Sequence, residues 1–468
     1  MFKTLANAWK IEDLRKKLIF TIIIILLYRI GAAITVPFVD ASSVANALEG
    51  TDPNTVINNI LSGVSNSVST NVINFLNTLS GGALANASLF ALGVSPYITA
   101  SIVIQLLTVA IPALERLAKQ GEEGKQKITV ITRYITVAIS LVTAIGYYFY
   151  IRYQAHAIAA ECEKWYFAVV IIACYCAGSS LVMWLAEKIN ESGIGNGVSI
   201  ILFANIVARF ASVLANIVAI FRGFKGADFK YVIVPSIIIP LTLIGMLAMI
   251  WFIIFISDSE RRIPVQYAKK VVGRKMYGGR NTNLPIKLNM TGVMPIIFAN
   301  SILTLPGMIF GFIETKKDTF WGKVDAFFSD TTSWFFVLMT FVLILAFAYF
   351  YVAISFNPVE VAGNLQQNGG SIPGIRPGKP TSTFIKKVLS KVTLIGALAL
   401  SVIAVLPPFL NVLLGWISQW TNNYAFSYCV ISDFVYGGSS VIIVVGVILE
   451  TVREIEAQMT MRHYKGFL

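Results

Sequence analysis

Residues 71–111 read NVINFLNTLSGGALANASLFALGVSPYITASIVIQLLTVAI, an apolar run that opens as a helix and does not continue as one. Val72, Phe75, Leu76 and Leu79 fall on one stripe at helical spacing, and the Asn and Thr residues between them mark the other face. Gly81-Gly82 predicts the end of that helix. A second helix is expected from near Leu89, carrying Gly93 and Pro96 where a lipid-facing helix should be regular. Irregular backbone at membrane depth is tolerated only where protein or a water-filled cavity surrounds it. The stretch therefore predicts a cavity inside a membrane protein, with a short helix that can fold back into it.

Composition places the whole chain in a bilayer. Of 468 residues, 56% are hydrophobic and 13% charged, and mean hydropathy is +0.72; an ordinary soluble domain carries about a quarter charged residues. About ten segments offer the roughly 20 apolar residues that a crossing needs: 18–37, 89–111, 134–151, 166–186, 198–220, 231–256, 291–312, 334–356, 388–407 and 434–449. An even number puts both termini on one side. Arg29 within the first apolar core, and the lack of an Ala-x-Ala site after it, predict an uncleaved first span. Cys162, Cys174, Cys176 and Cys429 show no metal-ligand spacing and read as packing residues.

Orientation follows from lysine and arginine. With the amino terminus cytoplasmic, 27 of the 37 basic residues fall on the cytoplasmic side, most of them in 1–17, 115–133, 257–289 and 357–391. None lies between Phe38 and Leu114. The formal net charge of +13 is thus concentrated on one face, which suits anionic lipid headgroups and equally an acidic or nucleic-acid partner.

Along the chain, 1–17 reads as an interfacial amphipathic helix or a plain topogenic charge flank. Residues 38–70, rich in Ser, Asn, Thr and Gly, read as an exoplasmic loop. The basic turn within 115–133 reads as a solvated charge face. GIGNG at 193–197 permits a tight turn with close backbone approach. Residues 257–289 alternate valine and tyrosine with basic residues and predict a protruding hairpin, turning at Gly278-Gly279. In 357–391, Pro and Gly predict an irregular, rigid, basic projection that holds Arg376 between Ile375 and Pro377. His463 reads as a surface residue.

Enzyme chemistry lacks its residues. Only His156 and His463 are present, with no HExxH, paired CxxC or nucleophile elbow, and Pro380 stands where a phosphate-binding loop at Gly378-Lys379 requires Ser or Thr. No enzyme, cofactor or metal is expected. Within the spans the ionisable candidates are Arg29 and Arg209, both expected to snorkel.

Eight blocks in order resemble the SecY family: RIGAAITVPFVD from Arg29, SGGALANASLFALGVSPYI, GIGNGVSII, ERRIPVQYAKK, LPIKLNMTGVMPIIFANSI, FNPVEVAGNL, PGIRPGKPT and YGGSSVIIVVGVI. The resemblance implies an all-α polytopic protein of ten transmembrane helices in two pseudo-symmetric five-helix halves, with a re-entrant plug helix. It places an amphipathic segment at 1–17, the halves at 18–220 and 221–452, the plug near 71–83 and a cytoplasmic tail at 453–468. It implies a protein-conducting channel in the bacterial cytoplasmic membrane that passes unfolded chains outward and releases apolar helices sideways into lipid. By position in the matching blocks, the pore ring corresponds to Val94, Ile98, Leu202, Ile297 and Ile443, and the plug to Val72, Phe75, Leu76 and Leu79. The family often has isoleucine where Val94 and Leu202 stand. The lateral gate, between the second and third spans and the seventh and eighth, would carry Thr99, Gln105 and Asn300. The implied partners are the small subunits SecE and SecG, the motor ATPase SecA, a translating ribosome, signal peptides and unfolded preproteins. SecA or ribosome contacts would fall on Arg261, Arg262, Lys269, Lys270, Arg274, Lys275, Arg376 and Lys379. From residues alone, a secondary transporter and a poreless membrane scaffold remain alternatives. A transporter should show a polar midplane site, and a channel an aliphatic constriction above an apolar plug.

Overall fold

A computed structural model describes residues 7–49, 72–158, 164–223, 229–267, 270–272, 275–277, 281–311, 333–421 and 437–465. In chain order the helices are α1 Glu12–Ala33, α2 Ala41–Glu49, α3 Val72–Leu79, α4 Ser95–Ala110, α5 Pro112–Ala118, α6 Glu122–Phe149, α7 Trp165–Ser192, α8 Gly197–Gly223 and α9 Phe229–Asp258. After four strands come α10 Met294–Gly311, α11 Trp334–Ser355, α12 Pro358–Gln367, α13 Lys379–Thr421 and α14 Gly437–Lys465. Among the described residues, four helical stretches are long and apolar enough to cross a membrane: Glu122–Tyr153, Trp165–Ser192, Trp334–Gln367 and Lys379–Leu410. The pair α4 and α5, bent by 106°, would make a fifth. Each of these two helices begins with proline in its first turn, where a missing N–H costs nothing.

Several boundaries differ from the sequence reading. The helix expected from Leu89 begins at Ser95; Leu89–Val94 is turn, with Gly93 at φ +56. Pro96 therefore starts a helix instead of interrupting one. Part of the segment read as an exoplasmic loop is helix α2, opened by Asp40, whose carboxylate accepts from the Ser42 and Ser43 hydroxyls. Residues 50–71 lie outside the described residues, as do Cys162, Cys429 and the Gly278-Gly279 turn. The segment read as irregular at 357–391 contains α12, capped by Asn357, whose side chain accepts from the Val359 amide. The span expected at 388–407 is one helix of 43 residues, α13, continuing through Pro407-Pro408. The last helix runs on past Glu454 to Lys465.

The core joins both halves of the chain. Residues of α1, α4, α7, α8, α9, α10, α11, α13 and α14 form one buried aliphatic cluster. Helix α6 packs against α4 and α7, α10 against α11, and α14 against α8, α9 and α13. Outward faces are apolar and open, as at Leu26, Leu27 and Ile30 of α1 and Leu247, Trp251 and Phe255 of α9. Such faces suit lipid. At the amino end, Ala8 and Leu14 bury against Ile194 and Ile455, tying that end to the 193–197 turn. That turn approaches closely, as its glycines require: a Cβ on Gly197 would lie 2.0 Å from the Ala186 carbonyl oxygen. Asn190 and Asn196 accept from the amides that start α8.

Gly178 of α7 shows how tightly the broken segment is held, since a Cβ there would fall 1.9 Å from the Leu89 carbonyl oxygen. Backbone cannot yield as a side chain can, so Gly178→Ala should lower stability by about 1–3 kcal/mol. Gly245→Ala, which meets nothing within 4 Å, should be neutral or stabilising. Thermal unfolding midpoints of the detergent-solubilised variants check the pair.

Candidate functional site

Between the end of α3 and the start of α4 the chain makes neither helix nor strand, apart from an isolated bridge of Ser88 to Thr35, and its polar groups are met by protein. Asn77 and Thr78, which the amphipathic stripe placed on an outer face, are buried. The reason is local: Asn77 Oδ1 accepts from the Ala85 amide at 3.0 Å and its carbonyl from Gly82 N at 2.9 Å. The Ser80 hydroxyl accepts from Leu84 N, and Ser88 donates to the Ala83 carbonyl. Neighbouring spans supply the rest. Tyr147 of α6 donates to the Leu84 carbonyl at 2.6 Å, and the Leu89 amide donates to Ile34 O at 2.8 Å. Gly81 and Gly82 take positive φ, as the turn after α3 demands.

Under this segment lies a cavity of about 50 Å³. Ile98 of α4, Leu202 of α8, Ile297 of α10 and Ile443 of α14 line it together, with Leu76 and Leu79 of α3. Val94, directly before α4, is buried in the same aliphatic cluster. The side chains of Val72 and Phe75 lie outside the described residues. Thr99 and Asn300 also face the cavity, and the Asn300 amide nitrogen is buried without a protein acceptor. Gln105 does not line it; its amide donates to Ser101 one turn back. No charged side chain lines the cavity among the described residues. Its volume holds a few waters at roughly 10–15 Å³ each.

Residues the sequence reading missed also line it: Leu84, Ala91 and Leu92 from the irregular segment, Ser95 and Pro96 at the start of α4, Ile139 and Thr143 from α6, and Ser301 and Thr304 from α10. A signal for α6 was available. Thr132, Thr136, Ser140 and Thr143 form a polar stripe at helical spacing, and all four are buried. The two in-span arginines find partners within the protein. Arg29 Nη2 donates to the Ala204 carbonyl at 2.9 Å, and Arg209 Nη1 to Thr78 Oγ1 at 3.3 Å.

The basic loops form a second candidate surface. Strand β1 (Glu260–Tyr267) pairs antiparallel with β4 (Asn281–Lys287), from Glu260 opposite Lys287 to Gln266 opposite Asn281. Between them β2 (Lys270–Val272) pairs with β3 (Lys275–Tyr277). The expected hairpin is therefore present, but its inner pair of strands reverses between Val272 and Lys275 and not at Gly278-Gly279, which falls between β3 and β4. The sequence reading treated 357–391 as a separate projection, but its strand β5 (Gly370–Ser371) pairs with the other edge of β1. Ile263 and Val265 point into a core with Ile372 and Leu389, which leaves Arg261 and Arg262 exposed. Arg376 and Lys379 are exposed beside them, and the Arg376 carbonyl accepts from buried Thr381 at 2.8 Å. Lys269 and Arg274 lie outside the described residues, and the side chains of Lys270 and Lys275 are not described. Lys287 loses basicity through burial and through the nearby Arg453.

Comparisons with known proteins agree with this architecture. The SecY family profile matches residues 88–452. The protein translocase subunit SecY of Streptomyces coelicolor is 40% identical over 476 residues, covering 100% of both chains, and that of Mycobacterium bovis 38% over 483 residues, again 100% of both. Among solved structures, a protein-conducting channel superposes with a TM-score of 0.59 at 16% identity, covering 95% of this chain and 92% of that one. Sec61 in the canine ribosome-channel complex gives 0.57 at 16% identity with the same coverage.

Tyr147→Phe leaves the buried Leu84 carbonyl without its 2.6 Å donor. The expected loss is about 1–3 kcal/mol of unfolding free energy. Denaturant unfolding in detergent checks it against Tyr148→Phe, whose hydroxyl only accepts a 3.3 Å bond from Arg152 and should cost little.

Proposed function

We propose, from the premise that the chain belongs to the SecY family, that it is the pore-forming subunit of a protein translocase. In this reading it passes unfolded secretory polypeptides across the bacterial cytoplasmic membrane and releases apolar segments sideways into lipid, without enzymatic activity of its own. Ten spans in two five-helix halves, divided near 220, would carry it, with both termini and the basic loops in the cytoplasm.

The observation that supports this best is the meeting of Ile98, Leu202, Ile297 and Ile443 around one small cavity with Leu76 and Leu79 of α3 against it. Four separate helices each contribute one branched aliphatic side chain. Such a collar disfavours water and ions when closed, and its packing makes no directional demand, so it can part around any passing sequence. Helix α3 would be the plug, seated against α8 and α10. The lateral gate would open where α4 packs on α10, with Thr99 and Asn300 on that seam and Gln105 further along it. Proton-coupled transporters keep ionisable groups within their spans; no charged side chain lines the described cavity, although Ser95, Thr99, Thr143, Asn300, Ser301 and Thr304 add polar groups to it.

The β4-β1-β5 sheet would be the docking platform for the motor SecA or a translating ribosome. Arg261, Arg376 and Lys379 present exposed positive charge there, with Arg262 paired to Glu260 at 2.6 Å, and phosphates of ribosomal RNA favour such residues. Lys269, Lys270, Arg274 and Lys275 extend the same loop. The open apolar faces of α1 and α9 would take lipid and the small subunits SecE and SecG.

Ile98→Ser combined with Ile297→Ser should raise the ion conductance of the resting channel in planar bilayers. Unchanged conductance would remove the collar from the proposal. Arg376→Glu should block SecA-driven export into membrane vesicles while the protein stays folded, because the side chain is exposed and buries nothing. Normal export by that variant would refute the docking role.

A further inference from the structure

We propose that Asn205 and Arg29 form a latch that holds the plug in its seat from the carboxyl end of α3. This rests on the plug reading of Val72–Leu79 and goes beyond it by naming what positions that helix. Asn205 is fully buried on α8. Its amide nitrogen donates to the Tyr28 hydroxyl at 2.9 Å and to the Leu79 carbonyl at 2.8 Å. Leu79 ends α3, so its carbonyl is among those that a helix leaves without an internal donor. One side chain thus joins the first span, the fifth span and the plug.

Arg29 closes the latch from the other side. Its guanidinium is anchored on the Ala204 carbonyl at 2.9 Å, and Gly81, two residues past the plug, is wedged between it and Asn205. A Cβ on Gly81 would sit 3.0 Å from Arg29 Nη1 and 3.0 Å from Asn205 Oδ1. One turn further along α8, Arg209 reaches the Thr78 hydroxyl at 3.3 Å. The apolar collar seals but fixes no position, because aliphatic contacts slide. Hydrogen bonds are directional, and in a dry site a stranded amide or carbonyl is costly. Water enters as the plug leaves and takes over these bonds, so the latch biases the closed state without locking it.

The test is the resting conductance of the reconstituted translocase channel in planar bilayers, without substrate. Asn205→Leu and Arg29→Met should each raise the open probability about tenfold, equivalent to about 1.4 kcal/mol. In a channel deleted for 72–79 the same substitutions should add nothing. Gly81→Ala removes no polar group but crowds the contact and strains a positive-φ turn, and should act in the same plug-dependent way even if a larger change impairs folding. Leakage of equal size with and without the plug would assign these residues to general packing and overturn the latch. No leakage from any of the three, while plug deletion leaks, would overturn it and leave the plug standing. A plug deletion that does not leak would remove both.

Discussion

Backbone amides and carbonyls at membrane depth have no solvent to turn to, and the turn from Ser80 to Val94 satisfies them through its neighbours. Tyr147, Asn77, Ser80 and Ser88 bond its backbone from the side, while Ile34 and Asn205 take up groups at its edges. The rest of the fold can be read as the housing for this stretch. Gly178 lets α7 come within backbone contact of Leu89, and Tyr28 of α1 stacks on Phe90. Because the stretch is irregular, α3 is free to stand apart from α4 and lie against the cavity that a continuous helix would have filled.

Two kinds of force then divide the labour. Aliphatic side chains from α4, α8, α10 and α14 narrow the cavity without fixing an arrangement. Polar contacts from α1 and α8 to the end of α3 are few and directional. Non-directional packing plus a few exchangeable hydrogen bonds leaves alternative arrangements within a few kcal/mol.

On the basic face the same economy appears in sheet form. Two loops about a hundred residues apart share strand β1, and Ile263, Val265 and Ile372 bury beneath it. The fold thereby joins two basic projections that the sequence reading kept separate into one surface, with Gly374 and Gly378 at positive φ setting the path of the Arg376 turn.

The sequence by itself determined the membrane class, the largely helical make-up, the break after Leu79 and the hairpin character of 257–289, and it gathers most lysines and arginines into a few segments. These are local quantities: hydropathy over about 20 residues, glycine and proline positions, and counts of lysine and arginine. The family resemblance named the collar positions, yet nothing in their spacing said that residues 98, 202, 297 and 443 would meet. Only the tertiary structure decided that convergence, the inward turn of Asn77 and Thr78, the anchoring of Arg29 and Arg209 on neighbouring groups, and the pairing of β5 with β1. Each depends on partners far away in the chain, and a polar or aliphatic side chain carries no local mark of which distant backbone group or cavity it will face.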